Sequence, residues 1–315
     1  MLKAAVLQRV TDAQKEMLQK ENPTVEFVFQ PELSEENIGG FDAILGNAKP
    51  TLLKHAKKLQ FIQLGSAGVD GYTAEGVFGN PNTILCNASG AYGLAISECL
   101  VAMHLAVQKH LHLYRDNMKN HAWKDHGMVK SVMDSTILVV GTGDIGNQYA
   151  RRVKAMGAKL YGVRRTGEQM PELYEKIYTV EQIDEILPQA DAVALCLPGT
   201  EKTKGLFSKE RLLKMKRGAI LLNIGRGSAI DSQGLYDVLT SGHLLGAAID
   251  VTDPEPLPAE SPLWDVENLL ITPHVTGGGH LLATTESIVR IGCENLKLIM
   301  AGKRPPRVVN LKEGY

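Results

Sequence analysis

The chain has 315 residues, room for two ordinary domains and a large core, and its 34 Lys and Arg nearly cancel 35 Asp and Glu, leaving a formal charge of −1. Without a global field of either sign, neither nucleic acid nor an anionic membrane is an expected partner. The four cysteines, Cys86, Cys99, Cys196 and Cys293, form no C-x-x-C pair and have mostly apolar neighbours, which suits reduced thiols in a cytoplasm and argues against disulfides or a bound metal.

The N-terminus, MLKAAVLQRV, is too short and too soon charged for a signal peptide, and the apolar runs break well before membrane-spanning length. Residues 2–8 read as a strand, 12–20 as a helix, and 25–30, 41–45 and 60–64 as further strands. Thr51 is placed to cap a helix running to Lys58, on which Lys54, Lys57 and Lys58 form a solvated face. This alternation predicts a parallel sheet of its own, with 83–86 as its last strand. The strand ending at Leu64 runs into Gly65-Ser66-Ala67-Gly68-Val69-Asp70, where small side chains leave N–H groups open to an anion. From Tyr92 to Leu113 the pattern is helical and strongly apolar, so this helix is expected to be buried. Residues 115–130 read as an irregular arm.

The most informative stretch is 137–166, ILVVGTGDIGNQYARRVKAMGAKLYGVRRT. A strand ends in Gly141-Thr-Gly143-Asp-Ile-Gly146, a helix begins near Asp144, and a second strand covers 159–163, the context in which G-x-G-x-x-G points to a dinucleotide. Gly141 allows the tight turn, Gly143 the approach of a pyrophosphate, and Gly146 close packing of helix on strand. The helix then aims its free N–H groups and positive dipole end at the phosphate. The second strand ends on Arg164-Arg165-Thr166 instead of the Asp or Glu that bonds a ribose 2′-hydroxyl. Two guanidiniums and a hydroxyl suit a 2′-phosphate, which favours NADP(H) and leaves NAD(H) as the alternative.

Further strands are expected at 192–197, 219–224, 245–249 and 269–272, with a helix at 235–241. They stop at Pro198-Gly199-Thr200, Gly225-Arg226-Gly227, Asp250, and Pro273-His274. In an open α/β sheet such carboxyl ends form the rim where ligand sits. A helix over 280–300 closes the pattern, and the β-like run at Val308-Val309-Asn310 is expected to return to the first lobe. Arg226, between two glycines, is placed to clamp a carboxylate bidentately. His274 stands in an open turn, and Glu255 lies in the stiff Asp253-Pro254-Glu255-Pro256 loop. A carboxylate held against an imidazole favours the protonated ring and fixes its orientation. Arg226 as clamp, His274 as proton donor or acceptor, and Glu255 as its orienter make a working set.

In these pieces and their spacing the chain resembles the D-isomer-specific 2-hydroxyacid dehydrogenases over nearly its whole length. The resemblance rests on residues 65–70, Gly141-x-Gly143-x-x-Gly146, Leu197-Pro198, 223–227, Asp250-Val-x-x-x-Glu255-Pro256, and Thr272-Pro273-His274. It implies an Arg, Glu, His catalytic set at Arg226, Glu255 and His274. Asp250 is then expected at the nicotinamide amide, and Ser66, Ala67 and Gly68 at the substrate carboxylate. The expected cofactor contacts are Gly141, Gly143, Asp144, Ile145, Gly146, Arg164, Arg165 and Thr166, continuing through Leu197, Pro198, Thr203, Ile224, Gly225, Asp250 and Gly277. It also implies a homodimer formed through residues 92–130, and two Rossmann-like doubly wound parallel-sheet domains with the active site in the cleft between them. The expected borders are 1–98 plus 285–315 for a flavodoxin-like substrate domain and 99–284 for the dinucleotide domain.

Arg164-Arg165 is similar to NADP-using glyoxylate/hydroxypyruvate reductases. Phosphoglycerate dehydrogenases usually carry an arginine in the loop after the third strand, where this chain has Leu45-Gly46-Asn47-Ala48 and then Lys49. The expected activity is reduction of a small 2-oxo acid to the D-2-hydroxy acid. The alternatives are phosphoglycerate oxidation with NAD and, from another class, a nucleotide-sensing binding protein like the corepressors on this fold.

Overall fold

A computed structural model describes residues 1–314. The chain divides into two compact units, Met1–Tyr92 with Gly279–Tyr315, and Gly93–Gly278. Both borders fall a few residues before the expected 98/99 and 284/285. The cause is the helix that starts at Gly93: a Cβ on Gly93 would stand 2.5 Å from a carboxylate oxygen of Asp144, so the helix packs on the second unit from its first residue.

The first unit contains β1 (Leu2–Val6), α1 (Asp12–Glu21), β2 (Val25–Phe29), β3 (Ala43–Leu45), α2 (Pro50–Leu53), β4 (Phe61–Gln63) and β5 (Ile84–Cys86). The sheet order is β2-β1-β3-β4-β5, all pairs parallel. Thr11 and Gln14 form a reciprocal capping box that starts α1. Helix α2 has Pro50 at its start and is one turn long, not the expected run from Thr51 to Lys58. The Gly79 N–H takes the Leu53 carbonyl at 3.0 Å, an acceptor that a longer helix would need. Lys54, Lys57 and Lys58 are exposed.

The second unit contains α3 (Gly93–Gln108), α4 (Leu111–Lys119), β6 (Thr136–Val140), α5 (Asp144–Ala155), β7 (Lys159–Val163), β8 (Lys176–Tyr178), α6 (Ile183–Ile186), β9 (Ala192–Leu195), α7 (Lys209–Lys214), β10 (Ile220–Asn223), α8 (Ser232–Thr240), β11 (Gly246–Ile249) and β12 (Leu269–Ile271). Its seven strands run β12-β11-β10-β9-β6-β7-β8, again parallel throughout. The Val, Ile, Leu and Ala runs of the central strands β6, β9, β10 and β11 are buried on both faces, as a sheet covered on two sides requires, while the edge strand β12 is half-buried.

The single helix expected over 92–113 is two helices. His110 takes a left-handed backbone, φ 57, which breaks the ladder before α4. The expected irregular arm is helical to Lys119 and irregular only beyond it. Helix α3 covers the second sheet against α5, β10 and β11. At that contact the buried Tyr149 hydroxyl and His104 Nδ1 share a 2.8 Å hydrogen bond.

The last helix, α9 (Leu282–Met300), belongs to the first unit, where Val289, Cys293 and Leu296 fill the core over β1, β3 and β4. The tail follows it there: Val308 bridges Cys86 antiparallel, and Val309 N–H donates to Leu85 O at 2.8 Å. All four cysteines are free, and burial pushes the Cys86 and Cys196 thiols up to about 12. Among the described residues no helix is long and apolar enough to cross a membrane, and no group of three or more His, Cys, Asp or Glu is placed to hold a metal ion.

Candidate active site

The seven strands of the second unit finish in step. Tyr178, Val163, Val140, Leu195, Asn223, Ile249 and Ile271 are successive register partners across the sheet. The loops that follow therefore leave along one straight rim. The order of strands reverses between β6 and β9, the switch point at which open α/β sheets bind ligand.

At β6 the rim is the glycine turn. Gly141 has φ +101, and a Cβ on it would stand 2.5 Å from the Cys196 carbonyl oxygen, so no other residue fits between β6 and β9. Gly143 is the N-cap of α5, no side chain caps that helix, and a Cβ on Gly143 would meet nothing within 4 Å. The open approach at Gly143 leads to the start of α5, whose first turn holds Asp144, Ile145 and Gly146, the kind of helix end at which anions bind.

After β7, Arg164 is half-buried and Arg165 and Thr166 are exposed. Arg164 Nη1 makes a 2.8 Å ion pair with Glu168, four residues on. The loop is closed by Gln169, whose side chain bonds both the N–H (2.9 Å) and the carbonyl (2.8 Å) of Ile177. After β9, Gly225 fits against the backbone of Leu197, where a Cβ would come 2.6 Å from the carbonyl oxygen. The Thr203 hydroxyl donates to Pro198 O at 2.7 Å and accepts from Thr200 N–H at 2.9 Å, so it shapes the 198–203 turn. Ile224 is buried below the rim.

Arg226 follows β10 in extended backbone and is half-buried, with Nη1 donating to Gly225 O at 2.8 Å. Asn223 ties the turn from within: its Oδ1 accepts from Gly225 N–H at 3.0 Å and its Nδ2 donates to Arg226 O at 3.0 Å. The next residue, Gly227, lies against Thr252, three positions before Glu255.

After β11 comes Glu255, and after β12 comes His274. His274 Nδ1 and Glu255 Oε1 are 2.5 Å apart, and both side chains are partly exposed. The contact assigns Nδ1 to the carboxylate, and Nε2 has no partner among the described residues. His274 also has a positive φ of 51, a conformation that costs a non-glycine residue about 1–3 kcal/mol and persists only where its surroundings hold it. Those surroundings are Asp250, which is 2% exposed. Its Oδ1 accepts from Thr272 Oγ1 (2.6 Å) and Val275 N–H (3.0 Å), and its Oδ2 from Thr276 Oγ1 (2.6 Å) and Thr276 N–H (3.2 Å). A carboxylate offers four lone-pair sites. All four accept from groups of the turn that carries His274. Gly277 sits in the following turn, closed by Gly278 N–H on Val275 O at 3.1 Å.

In the first unit, the carbonyls of Ser66 and Ala67 accept from Ala88 N–H and Asn87 Nδ2, both at 2.9 Å, and the Ser66 hydroxyl donates to Gly68 O at 2.7 Å. Tyr92 donates its hydroxyl to Gly65 O. The N–H groups of Ser66, Ala67 and Gly68 donate to no group among the described residues. This is a set of aligned donors suited to a carboxylate. Asn47 holds the loop from the next strand, accepting from Gly65 N–H at 2.8 Å and donating to Ser66 Oγ at 2.9 Å.

Sequence reading missed Asn47, Thr272 and Thr276. Asn47 carried a faint signal, standing in the loop where relatives of one branch place arginine. Thr272 was read only as part of Thr272-Pro273-His274, and Thr276 carried no signal, because the partner of both is more than twenty residues away.

A dinucleotide turn and a carboxylate-held imidazole on one sheet rim are the working parts of a nicotinamide-dependent dehydrogenase. The chain belongs to the D-isomer specific 2-hydroxyacid dehydrogenase family, the model of whose NAD binding domain matches residues 101–276. It is accordingly an NAD(P)-dependent oxidoreductase of D-2-hydroxy acids. Among solved structures it is similar to a D-isomer specific 2-hydroxyacid dehydrogenase family protein of Aeromonas salmonicida, with a TM-score of 0.85, 30% identity, and 98% of this chain and 99% of that one covered. The NADPH-dependent glyoxylate/hydroxypyruvate reductase of Sinorhizobium meliloti, solved with NADP and sulfate, gives 0.84 and 25% identity, with 100% of both chains covered. D-3-phosphoglycerate dehydrogenase of Mycobacterium tuberculosis is 31% identical over 287 residues, 87% of this chain. The chain spans about half of that relative's length, 52%.

Proposed function

We propose that the protein reduces a small 2-oxo acid of the glyoxylate or hydroxypyruvate type to the D-2-hydroxy acid, with NADPH as the favoured cofactor. The observation that carries this reading is the 2.5 Å contact between His274 Nδ1 and Glu255 Oε1, which leaves Nε2 as the ring atom open to exchange a proton with substrate. A bound nicotinamide supplies the hydride that the keto carbon receives. His274 gives its Nε2 proton to the keto oxygen, and Glu255 steadies the ring and balances its charge before the transfer. Arg226 polarises the same oxygen and clamps the carboxylate. The glycine turn and the start of α5 take the pyrophosphate, and Arg164 with Arg165 and Thr166 the 2′-phosphate.

A second reading, NAD-dependent oxidation of a phosphoglycerate-type substrate, is favoured by one observation: Arg164 is already paired with Glu168, which a 2′-phosphate must displace. Apolar side chains left exposed along and after α4, among them Leu111, Met118, Trp123 and Met128, support a homodimer through this arm. The free cysteines support a reducing cytoplasmic setting.

Steady-state assays of glyoxylate, hydroxypyruvate and 3-phosphohydroxypyruvate with NADPH and NADH test the reading. The expected result is fastest turnover of an unphosphorylated acid with NADPH. Preference for the phosphorylated acid with NADH moves the assignment to the second reading. Cofactor binding without turnover of any 2-oxo acid would instead mark a nucleotide sensor.

A further inference from the structure

The loop Gly65-Ser66-Ala67-Gly68 is polarised from end to end. Each of its four carbonyls accepts a hydrogen bond: Gly65 O from the Tyr92 hydroxyl, Ser66 O from Ala88 N–H, Ala67 O from Asn87 Nδ2, and Gly68 O from the Ser66 hydroxyl. The N–H groups of Ser66, Ala67 and Gly68 donate to no group among the described residues. The acceptors of this stretch are engaged and its donors are not, which is the polarity an anion requires.

Asn47, in the loop after β3, takes part in setting that polarity, and the direction of each bond follows from which groups can donate. Gly65 N–H can only donate, so the Asn47 atom it meets at 2.8 Å is Oδ1. The other end of the amide is then Nδ2, also a donor only, so the Ser66 oxygen accepts from it at 2.9 Å. The Ser66 proton is thereby directed to Gly68 O, 2.7 Å away. The result is a one-way relay from Gly65 N–H through Asn47 and Ser66 to Gly68 O. The loop that carries Asn47 is anchored on both sides of it. Before it, a Cβ on Gly46 would stand 2.9 Å from Leu7 Cβ; after it, the buried Tyr72 hydroxyl donates to Ala48 O at 2.7 Å.

We propose that Asn47, acting through the Ser66 hydroxyl, is a positioning residue for the substrate carboxylate. Its amide fixes where the Ser66 proton points. The Ser66 hydroxyl then ties residue 66 to residue 68 across the turn, and the N–H groups of Ala67 and Gly68 lie between the tied ends. The inference rests on the proposed function, in which a 2-oxo acid brings a carboxylate to the enzyme, and its test separates the two.

The full-length protein is compared with Asn47→Ala, Ser66→Ala and the double variant. Each is titrated with oxamate, an unreactive carboxylate analogue of glyoxylate, at saturating NADPH, and each is assayed for kcat and KM with glyoxylate. Either single variant should weaken oxamate and raise KM by about 2- to 10-fold, the weight of one net hydrogen bond. A contact to the ground-state carboxylate acts on KM, so kcat should stay within about twofold. The double variant should be no weaker than the weaker single one, because both residues act through one relay.

Losses that add in the double variant overturn the proposal, as does native oxamate binding in either single variant. A fall in kcat at unchanged KM also overturns it. A wild type that binds oxamate but turns over no 2-oxo acid defeats the proposed function alone, and the relay then stands or falls by the same oxamate losses. A wild type that neither binds oxamate nor turns over a 2-oxo acid overturns both.

Discussion

Gly227 lies so close to Thr252 that a Cβ on it would overlap the Thr252 carbonyl carbon and oxygen. The turn that carries Arg226 and the loop that carries Glu255 are therefore fitted to each other through bare backbone. Gly227→Ala should force them apart, costing about 1–3 kcal/mol of stability, as overpacking of a tight contact does. Turnover should fall far more than NADPH affinity, because the glycine turn after β6 is untouched. Thermal unfolding and kcat measured on the same preparation check this, and an alanine variant with native turnover would show that the two loops need not meet for catalysis.

Arg226→Lys keeps the charge and loses the planar fork. A hydrogen bond to a charged group contributes about 1.5–3 kcal/mol, so losing one arm of a bidentate pair should lower kcat/KM by roughly 10- to 10²-fold. Both kcat and KM should worsen, since the side chain contacts the ground-state carboxylate as well as the developing alkoxide. Kinetics no different from those of an exposed Arg-to-Lys control would remove Arg226 from the clamp.

The Arg164–Glu168 ion pair makes cofactor choice adjustable from outside the ribose site. Glu168→Ala frees Arg164 and should improve NADPH affinity by several-fold while leaving NADH unchanged. Replacing Arg164 and Arg165 with alanine should do the reverse, weakening NADPH by about tenfold or more. Raised salt should narrow the wild-type gap between the cofactors. Titration of both cofactors against all three proteins decides the matter, and a loss shared equally by NADPH and NADH would point away from the 2′-phosphate.

His104 is 1% exposed, and burial pushes its imidazole down to about 4. The sign follows from linkage: between its ordinary value near 6.5 and about 4, the unfolded chain binds a proton that the folded chain refuses. Stability should thus fall as pH drops through this window, by about 2 kcal/mol at pH 5 from this residue alone, and the loss should level off below about 4. His104→Asn keeps an acceptor for the Tyr149 hydroxyl and cannot titrate. Urea unfolding at pH 7 and pH 5 should show a smaller loss in the variant, and equal losses would mean that other groups govern the acid limb.

What could be read in advance was whatever repeats or punctuates. The strand at 159–163 matches β7, and the glycine turn, the Pro-flanked Glu255 and His274 all announce themselves by residue type beside an apolar run. The break at His110 was invisible because the apolar helical pattern continues through Leu113, and a single left-handed residue leaves no periodic trace. Strand β8 was missed for the opposite reason: three residues are too few to show alternation. The short α2 could not be foreseen, because what ends it is an N–H from Gly79, delivered by a loop far along the chain. At the site the same division holds. The chemical groups were legible, while Asn47, Thr272 and Thr276 hold their positions through partners set by the folded sheet and not by neighbours in sequence.

The level finish of the seven strands has a consequence for how the enzyme can change. The loop after β7 and the loop after β12 lie five strand spacings apart, roughly 24 Å at about 4.8 Å each. Substitutions that far apart with no shared partner usually combine additively. The two ends of the ledge are therefore separately tunable, so a lineage or an engineer can change the loop after β7 without re-solving the turn that carries His274 at the other end.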